Sequence, residues 1–378
     1  MALPNWENLA KNGMDPQTIL AYVDEKIGEH NANATAHMAS EASLAAHRAS
    51  VVCDHLAESV VNDKIRKSAR RYVAIVDPSD DEAFDTLESA LTYAHAQGGG
   101  DIFLVSGTHY ISSSSVNVNR NIGLFGNGIS ETSIESNSSS MKRLYIRNIA
   151  SGGASEPYFI MEGISFGKND HPVRIEEESD YATSIVQNCE FWPDPTGTDV
   201  ILRLLGQDYQ MNEITNNRFI CNNNQVIVMT LNAKFSGNTF IALDNGSYGI
   251  SGARRIIIEN NQFRGISDLA NKTAHNWIND MQNGTIISNN YFESQNTADW
   301  LTDGESIVMG NEIQMANNAN FNITGPKNRI VGNHFYCAGT GAVKVLSGSN
   351  YNTVIGNVSN KAVTNAGTGN QIGYNTDY

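Results

Sequence analysis

An asparagine returns every twenty-odd residues through the C-terminal half of this chain, each time in the setting apolar-x-x-Asn-x-Phe. The instances are Ile214-x-x-Asn217-x-Phe219, Phe235-x-x-Asn238-x-Phe240, Ile258-x-x-Asn261-x-Phe263, Ile287-x-x-Asn290-x-Phe292, Val308-x-x-Asn311-x-Ile313 and Ile330-x-x-Asn333-x-Phe335. Weaker copies follow at Val354/Asn357 and Ile372/Asn375. An earlier one at Val186/Phe191 has Cys189 in the Asn slot or, with a one-residue slip, Asn188. From Asn217 onward the steps are 21, 23, 29, 21, 22, 24 and 18 residues. A period of this size marks a solenoid, in which each repeat buries its apolar face only by stacking on its neighbours.

The content of each repeat decides which solenoid. Between the asparagines stand short β-branched runs such as Ile256-Ile257-Ile258 and Thr285-Ile286-Ile287, with no helical periodicity, so each unit is strands and turns. Helical repeats are excluded. A leucine-rich repeat would place several Leu per unit, whereas here the core slots hold Ile, Val and Phe. The pattern predicts an all-β solenoid of parallel strands, a parallel β-helix. Asn tolerates the left-handed backbone that a sharp turn between strands needs, and stacked amides can hydrogen-bond from coil to coil. The Phe two residues on is expected to stack with its equivalents and fill the core.

The first third differs in kind. Asp15-Pro16 is a helix start, and Ile19, Val23 and Ile27 recur at helical spacing, predicting a helix over about 16–30. Residues 35–69 lack Pro and Gly and are rich in Ala and Ser. Their apolar stripe, Leu44, Val51, Val52, Leu56, Val60 and Ile65, is too thin to stabilise an isolated helix, so it is expected to pack on copies of itself or on a partner. A short helix around Phe84, Leu87, Leu91 and Ala94 precedes Gly98-Gly99-Gly100 and is placed to plug the open end of the rod. The expected organisation is a helical attachment and oligomerisation segment (1–72), the cap and first coils (73–150) and the remaining coils (151–378).

Composition sets limits on partners. The 378 residues carry 40 Asp and Glu against 25 Lys and Arg, a net charge of −15, which disfavours nucleic acid and anionic membranes as partners. By this reasoning neutral sugars or cations fit better. Cys53, Cys189, Cys221 and Cys337 are far apart and read as small buried fillers, with no zinc motif. His30, His37, His47 and His55 lie within 26 residues, but their spacings match no metal motif. No metal or cofactor is expected. The N-terminus shows neither a basic n-region nor an apolar h-region, and no window holds eighteen apolar residues; the chain is expected to be made in the cytosol and to be soluble.

Two segments resemble known families. Val76-Asp77-Pro78, Thr86-Leu87-Glu88-Ser89-Ala90-Leu91, the run Gly100 to Tyr110 and Asn121-Ile122-Gly123-Leu124-Phe125-Gly126-Asn127-Gly128 together resemble the start of the pectin-lyase-like right-handed β-helix superfamily. Phe159 to Phe166 resembles one of its coils. The resemblance covers roughly 76–378 and implies a right-handed helix; it does not select an activity, since the superfamily holds lyases, hydrolases, esterases, epimerases and non-catalytic adhesins. His30-Asn31 through His37, continued by His47 and His55, is similar to stretches near the virion-proximal end of bacteriophage tail-fibre and tail-spike proteins. This second resemblance implies a homotrimer, attachment to a virion tail or capsid protein through the N-terminal segment, and recognition of bacterial surface polysaccharide.

Candidate site residues follow from the chemistry such a rod can carry. Polysaccharide hydrolysis needs two close carboxylates, and elimination needs a base with a positive group beside it. Asp280, Glu293, Asp299, Asp303 and Glu305 form the acidic cluster, and Asp280 and Asp303 are 23 residues, one coil, apart. The catalytic candidates are Asp280, Asp299, Asp303 and Glu305, against the plainer reading of a solvated face. Trp277-Ile278-Asn279-Asp280 resembles a Trp-Ile-Asp-His motif of pectate lyases, but with Asn and Asp in its last two positions no role is carried over. Glu176-Glu177-Glu178-Ser179-Asp180 reads as an acidic loop with no assignable partner. Trp192, Tyr209, Trp277 and Trp300 fall outside the repeated core slots, as do Tyr248 and Tyr351. The first four are the candidates for stacking on sugar rings, against a role in padding loops or subunit contacts. Binding of a host glycan, its cleavage by a depolymerase, and a structural virion fibre are the three functions left open.

Overall fold

The computed structural model describes residues 72–377 apart from 81–82, 120, 148–157, 169–171, 178–182, 193–201, 205–211, 222–226, 230, 244–247, 266–275, 282, 297–303, 317, 338–341 and 374. These residues belong to one compact unit, Arg70–Tyr378. The helices expected over 16–30 and 35–69 and the four clustered histidines lie outside the described residues, as does Cys53.

Short strands wind into three parallel sheets. The first runs from Ala74–Val76 through Gly100–Leu104 and onward to Gln371–Gly373. The second, twelve strands from Gly107–Ile111 to Thr376–Asp377, takes one strand from each coil. The third begins at Ser115–Asn119 and is continued in the last coils by a separate sheet of Phe321–Ile323, Val343–Val345 and Thr364–Asn365. One long strand, Tyr248–Glu259, serves two faces: its first half pairs with Asn276–Met281 of the third sheet and its second half with Leu231–Ser236 of the first. Every strand pair is parallel among the described residues, with pairing partners separated by one coil. This is the parallel β-helix that the repeat predicts.

The repeat explains the winding. On the first sheet Ile214, Phe235, Ile258, Ile287, Val308, Ile330 and Val354 stand in register and point inward. On the second, Phe166, Phe191, Phe219, Phe240, Phe263 and Phe292 form a stack with ring centroids 5.2, 4.9, 4.8, 4.6 and 4.5 Å apart and planes within 14° of parallel. All are fully buried. One apolar core runs unbroken from Ala74 to Val354.

The asparagines link the coils. Asn217 Nδ2 donates back to Val186 O (2.8 Å) and forward to Asn238 Oδ1 (3.1 Å), whose oxygen also accepts from Asn217 N–H (2.9 Å). The same bonds repeat through Asn261, Asn290, Asn311, Asn333 and Asn357 to Asn375. Cys189, not Asn188, holds the slot one coil earlier, its N–H donating to Asn217 Oδ1 at 2.8 Å. One expectation is corrected. The ladder asparagines do not carry the left-handed turn; from Asn217 to Asn357 the residue before each does, namely Asn216, Gly237, Asn260, Asn289, Gly310, Gly332 and Gly356, as does Asn188 before Cys189, all with φ between 54° and 67°. Two physical demands that the sequence reading placed on one residue are met by two adjacent ones.

The helix Leu87–Ala96 starts at an N-cap, Thr86, whose Oγ1 accepts from Ser89 N. Leu87, Ala90, Leu91 and Ala94 are buried against the first coils, so the helix closes that end of the core as expected.

Candidate functional site

Strand alternation sends every second side chain away from the core, so a site on this rod is built from outward rows that run one residue per coil. The second sheet presents Thr108, Ser133, Ser165, Glu190 and Arg218 in one such row. Glu190 is its focus. Oε1 accepts from Arg218 Nη1 at 2.8 Å, while Oε2 accepts from Ser165 Oγ (3.2 Å) and from Trp192 Nε1 (2.7 Å). Arg218 is half exposed and Glu190 almost wholly buried, with side chains 49% and 6% exposed, so the carboxylate is an anchor and not a free acid. What it anchors is the half-buried indole of Trp192, whose N–H is satisfied and whose ring is thereby held in a fixed plane at the surface.

The third sheet presents a charged row. Arg143 lies opposite Arg174, and Tyr145 opposite Glu176, which lies opposite Arg203. Glu176 accepts from Arg174 (3.1 Å) and Arg203 (2.8 Å), and Arg143 Nη1 donates to Tyr145 Oη at 2.9 Å. The sequence reads Glu176 as part of an acidic loop with no assignable partner. It is instead the buried end of the strand Val173–Glu177, placed outward by Val173 and Ile175 facing in. Its arginine partners sit 27 and 2 residues away, and only strand pairing reveals the distant one.

The remaining candidates fare differently. Trp277 does not face solvent; it is fully buried, 5.7 Å from the Phe263 ring, with Nε1 donating to Glu293 O at 2.7 Å. Gly249, in the preceding coil, allows the close approach of the Trp277 backbone and the Phe263 ring, since a Cβ there would stand 2.6 Å from the Trp277 carbonyl oxygen and 3.2 Å from that ring. The indole is a core filler, which removes it as a sugar platform. Asp280 lies in the strand Asn276–Met281. Glu305 sits exposed at a left-handed turn, 3.3 Å from Lys327 Nζ, in an ion pair that contributes little. Asp299, Trp300, Asp303 and Tyr209 lie outside the described residues. The three candidates whose side chains are described, Trp192, Trp277 and Glu305, sit on three different coils.

Burial also accounts for the cysteines. Cys189, Cys221 and Cys337 are buried and stand outside any disulfide, and burial pushes the Cys189 thiol up to about 12 and that of Cys337 to about 11. Neither is a nucleophile at neutral pH. Among the described residues no group of His, Cys, Asp or Glu could hold a metal ion, and no helix is long and apolar enough to cross a membrane.

No protein-family model and no curated protein matches the chain. Solved structures do. ORF18 of Geobacillus virus E2 matches at TM-score 0.45 and 18% identity over 84% of this chain, which spans 63% of that protein. DFA-IIIase from Arthrobacter chlorophenolicus A6 matches at 0.47 and 14%, over 76% of this chain and 88% of that one. A tailspike protein variant of E. coli bacteriophage HK620, in complex with a pentasaccharide, matches at 0.41 and 15%, over 76% of this chain and 62% of the other. The fold is a parallel β-helix. Along this β-helix the two outward clusters are distinct in character: an indole anchored by a carboxylate on the second sheet, and guanidinium groups set around a carboxylate on the third.

Proposed function

We propose that this chain is a virion protein of the phage tail-spike type, a homotrimer whose rod binds a glycan on the bacterial surface and whose N-terminal segment joins a virion tail or capsid protein. The observation that supports the reading is Trp192: a half-buried indole, orientated by Glu190, beside the polar groups of Ser165 and Arg218. A rigid aromatic face flanked by fixed hydrogen-bonding groups suits a sugar, whose ring faces are apolar and whose edges carry hydroxyls. The row that holds Glu190 runs one residue per coil along the second sheet, which suits an extended polymer better than a small ligand.

The test is retention of the purified protein on capsular and lipopolysaccharide glycans from candidate hosts, with Trp192→Ala beside the parent. The variant is expected to bind roughly tenfold more weakly, the equivalent of a contact of about 1.4 kcal/mol. Undiminished retention removes Trp192 from the site. Oligosaccharides released by the parent and not by Asp280→Asn or Asp303→Asn would instead make the protein a depolymerase. Neither retention nor release across the panel favours a structural fibre.

A further inference from the structure

The outer face of the first sheet carries an aliphatic stripe that the core does not use. Each strand there has one inward residue, such as Ile287, Val308 or Ile330, between two outward ones. In one outward row Ile257, Ile286 and Ile307 are consecutive cross-strand partners; in the other Met309, Val331 and Ile355 are. Met309 and Val331 are 44% and 36% exposed, and the four isoleucines are partly exposed. Strand alternation calls for polar residues at such positions, and earlier coils have them: Glu213 and Lys234 precede Ile257, and Glu259 and Ser288 precede Met309. Single apolar residues on a surface are ordinary, whereas a run of them marks a contact surface. The turn that follows each strand adds to the feature. At its left-handed position stand Asn260 and Asn289 in two coils, but Gly310, Gly332 and Gly356 directly after Met309, Val331 and Ile355. A Cβ on Gly332 would meet nothing of its own chain within 4 Å, so internal packing does not exclude Asn there. Bare backbone beside each of these side chains lets another surface come close.

Size and charge select the occupant. With strands about 4.8 Å apart, the stripe is about 19 Å long, with about 7 Å between its two rows. Such a patch is on the order of 300 Å², against about 800 Å² per partner in a stable interface. A separate protein would gain too little from it. Copies of one chain that are already joined elsewhere need far less, because the further contact forms at a high effective concentration. The chain carries a net charge of −15, so copies laid side by side repel unless they meet along an uncharged strip. The row Ser288, Met309, Val331, Ile355 and Gly373 is such a strip, without a charge over five coils.

We propose that this stripe is the face along which copies of the chain meet, set on the three-fold axis so that Met309, Val331 and Ile355 of each copy pack against their counterparts. The inference rests on the trimer of the proposed function and deepens it by naming where the rods touch. The N-terminal segment joins the chains; the stripe fixes how each rod is rotated about its own axis. Trp192, on the second sheet and on an earlier coil, stays outside the contact.

The experiment is chemical cross-linking of the full chain, with the mass of the particle measured by light scattering beforehand. Met309→Cys, Val331→Cys and, on the second sheet, Gln262→Cys are treated with a short bis-maleimide, and the parent, with its own four cysteines, sets the background. Each variant is checked for an unchanged urea midpoint. Met309→Cys and Val331→Cys are expected to give linked chains on a denaturing gel several-fold above both the parent and Gln262→Cys. Val331→Asp puts one charge from every copy on the axis. It is expected to keep the three-chain mass, through the N-terminal segment, and to abolish linkage when combined with Met309→Cys. A three-chain mass with no linkage at either stripe position overturns the inference and leaves the trimer standing, as does equal linkage at Gln262→Cys or linkage that survives Val331→Asp. A single-chain mass overturns the trimer and the inference together.

Discussion

At the scale of single residues, the repeat divides its labour between neighbours. Asn260 accepts a left-handed backbone, φ 56°, and Asn261 beside it makes the ladder, its Nδ2 donating to Phe235 O, Glu259 O and Asn290 Oδ1 while its Oδ1 takes Asn238 N–H and Nδ2. Substitutions at the two sites therefore have opposite expected outcomes. Asn260→Gly keeps the permitted backbone and is expected to change stability by less than about 1 kcal/mol. Asn261→Ala orphans buried donors on Asn238 at about 1–3 kcal/mol each, so a loss of about 3 kcal/mol or more is expected. Urea denaturation of both variants measures the difference, and equal losses would show that the ladder adds nothing to the turn.

At the scale of elements, the cap and first coil contain a group that the fold keeps neutral. His109 is buried on the strand Gly107–Ile111, its Nε2 2.9 Å from Val105 O and its Nδ1 without a hydrogen-bond partner. Desolvation lowers its pKa below the usual 6.5, against smaller opposing effects of the Val105 carbonyl and Asp77; burial acts in the same direction on His95 of the cap helix. Between the lowered value and 6.5 the unfolded chain binds more protons, so stability is whole above pH 6.5 and falls as pH drops through that window. His109→Gln is expected to flatten the fall in urea midpoint between about pH 7 and 5; an unchanged slope would rule His109 out as its source. The strands, the Phe stack and the cap helix were legible because each is a local repeat or a local cap signal. The second amide ladder, in which Ser306 N–H donates to Asn328 Oδ1, Asn328 N–H to Asn352 Oδ1 and Asn352 N–H to Asn370 Oδ1, was missed, although Asn328-x-Ile330, Asn352-x-Val354 and Asn370-x-Ile372 mark it in the sequence. The arginine row was harder to see. Arg143, Arg174 and Arg203 are 31 and 29 residues apart, outside the 23-residue rhythm, and only the paired strands bring them together. Trp277 lies outside the repeated core slots in the sequence, and only the fold shows its indole packed on Phe263 with Nε1 donating to Glu293 O.

At the scale of the whole molecule, charge bears on how chains associate. Residues 1–72 hold 9 Asp and Glu against 8 Lys and Arg, a net −1, which leaves −14 on residues 73–378. Rods so charged repel one another when laid side by side, and the repulsion grows as salt falls. The nearly neutral N-terminal segment, with an apolar stripe too thin to stabilise a lone helix, is where association carries the least electrostatic penalty and the most apolar gain. In the proposed trimer the segment therefore holds the chains together and the rods follow. Light scattering is expected to give three times the 41.2 kDa chain mass for the full protein and a single chain for a truncation starting at Val73. The truncation leaves the continuous core from Ala74 to Val354 whole, so its transition in urea should stay cooperative and its mass should report association alone. A full-length monomer would sink the trimer, and a truncated form that still associates, more so at high salt, would move the contact from the N-terminal segment to the faces of the rod.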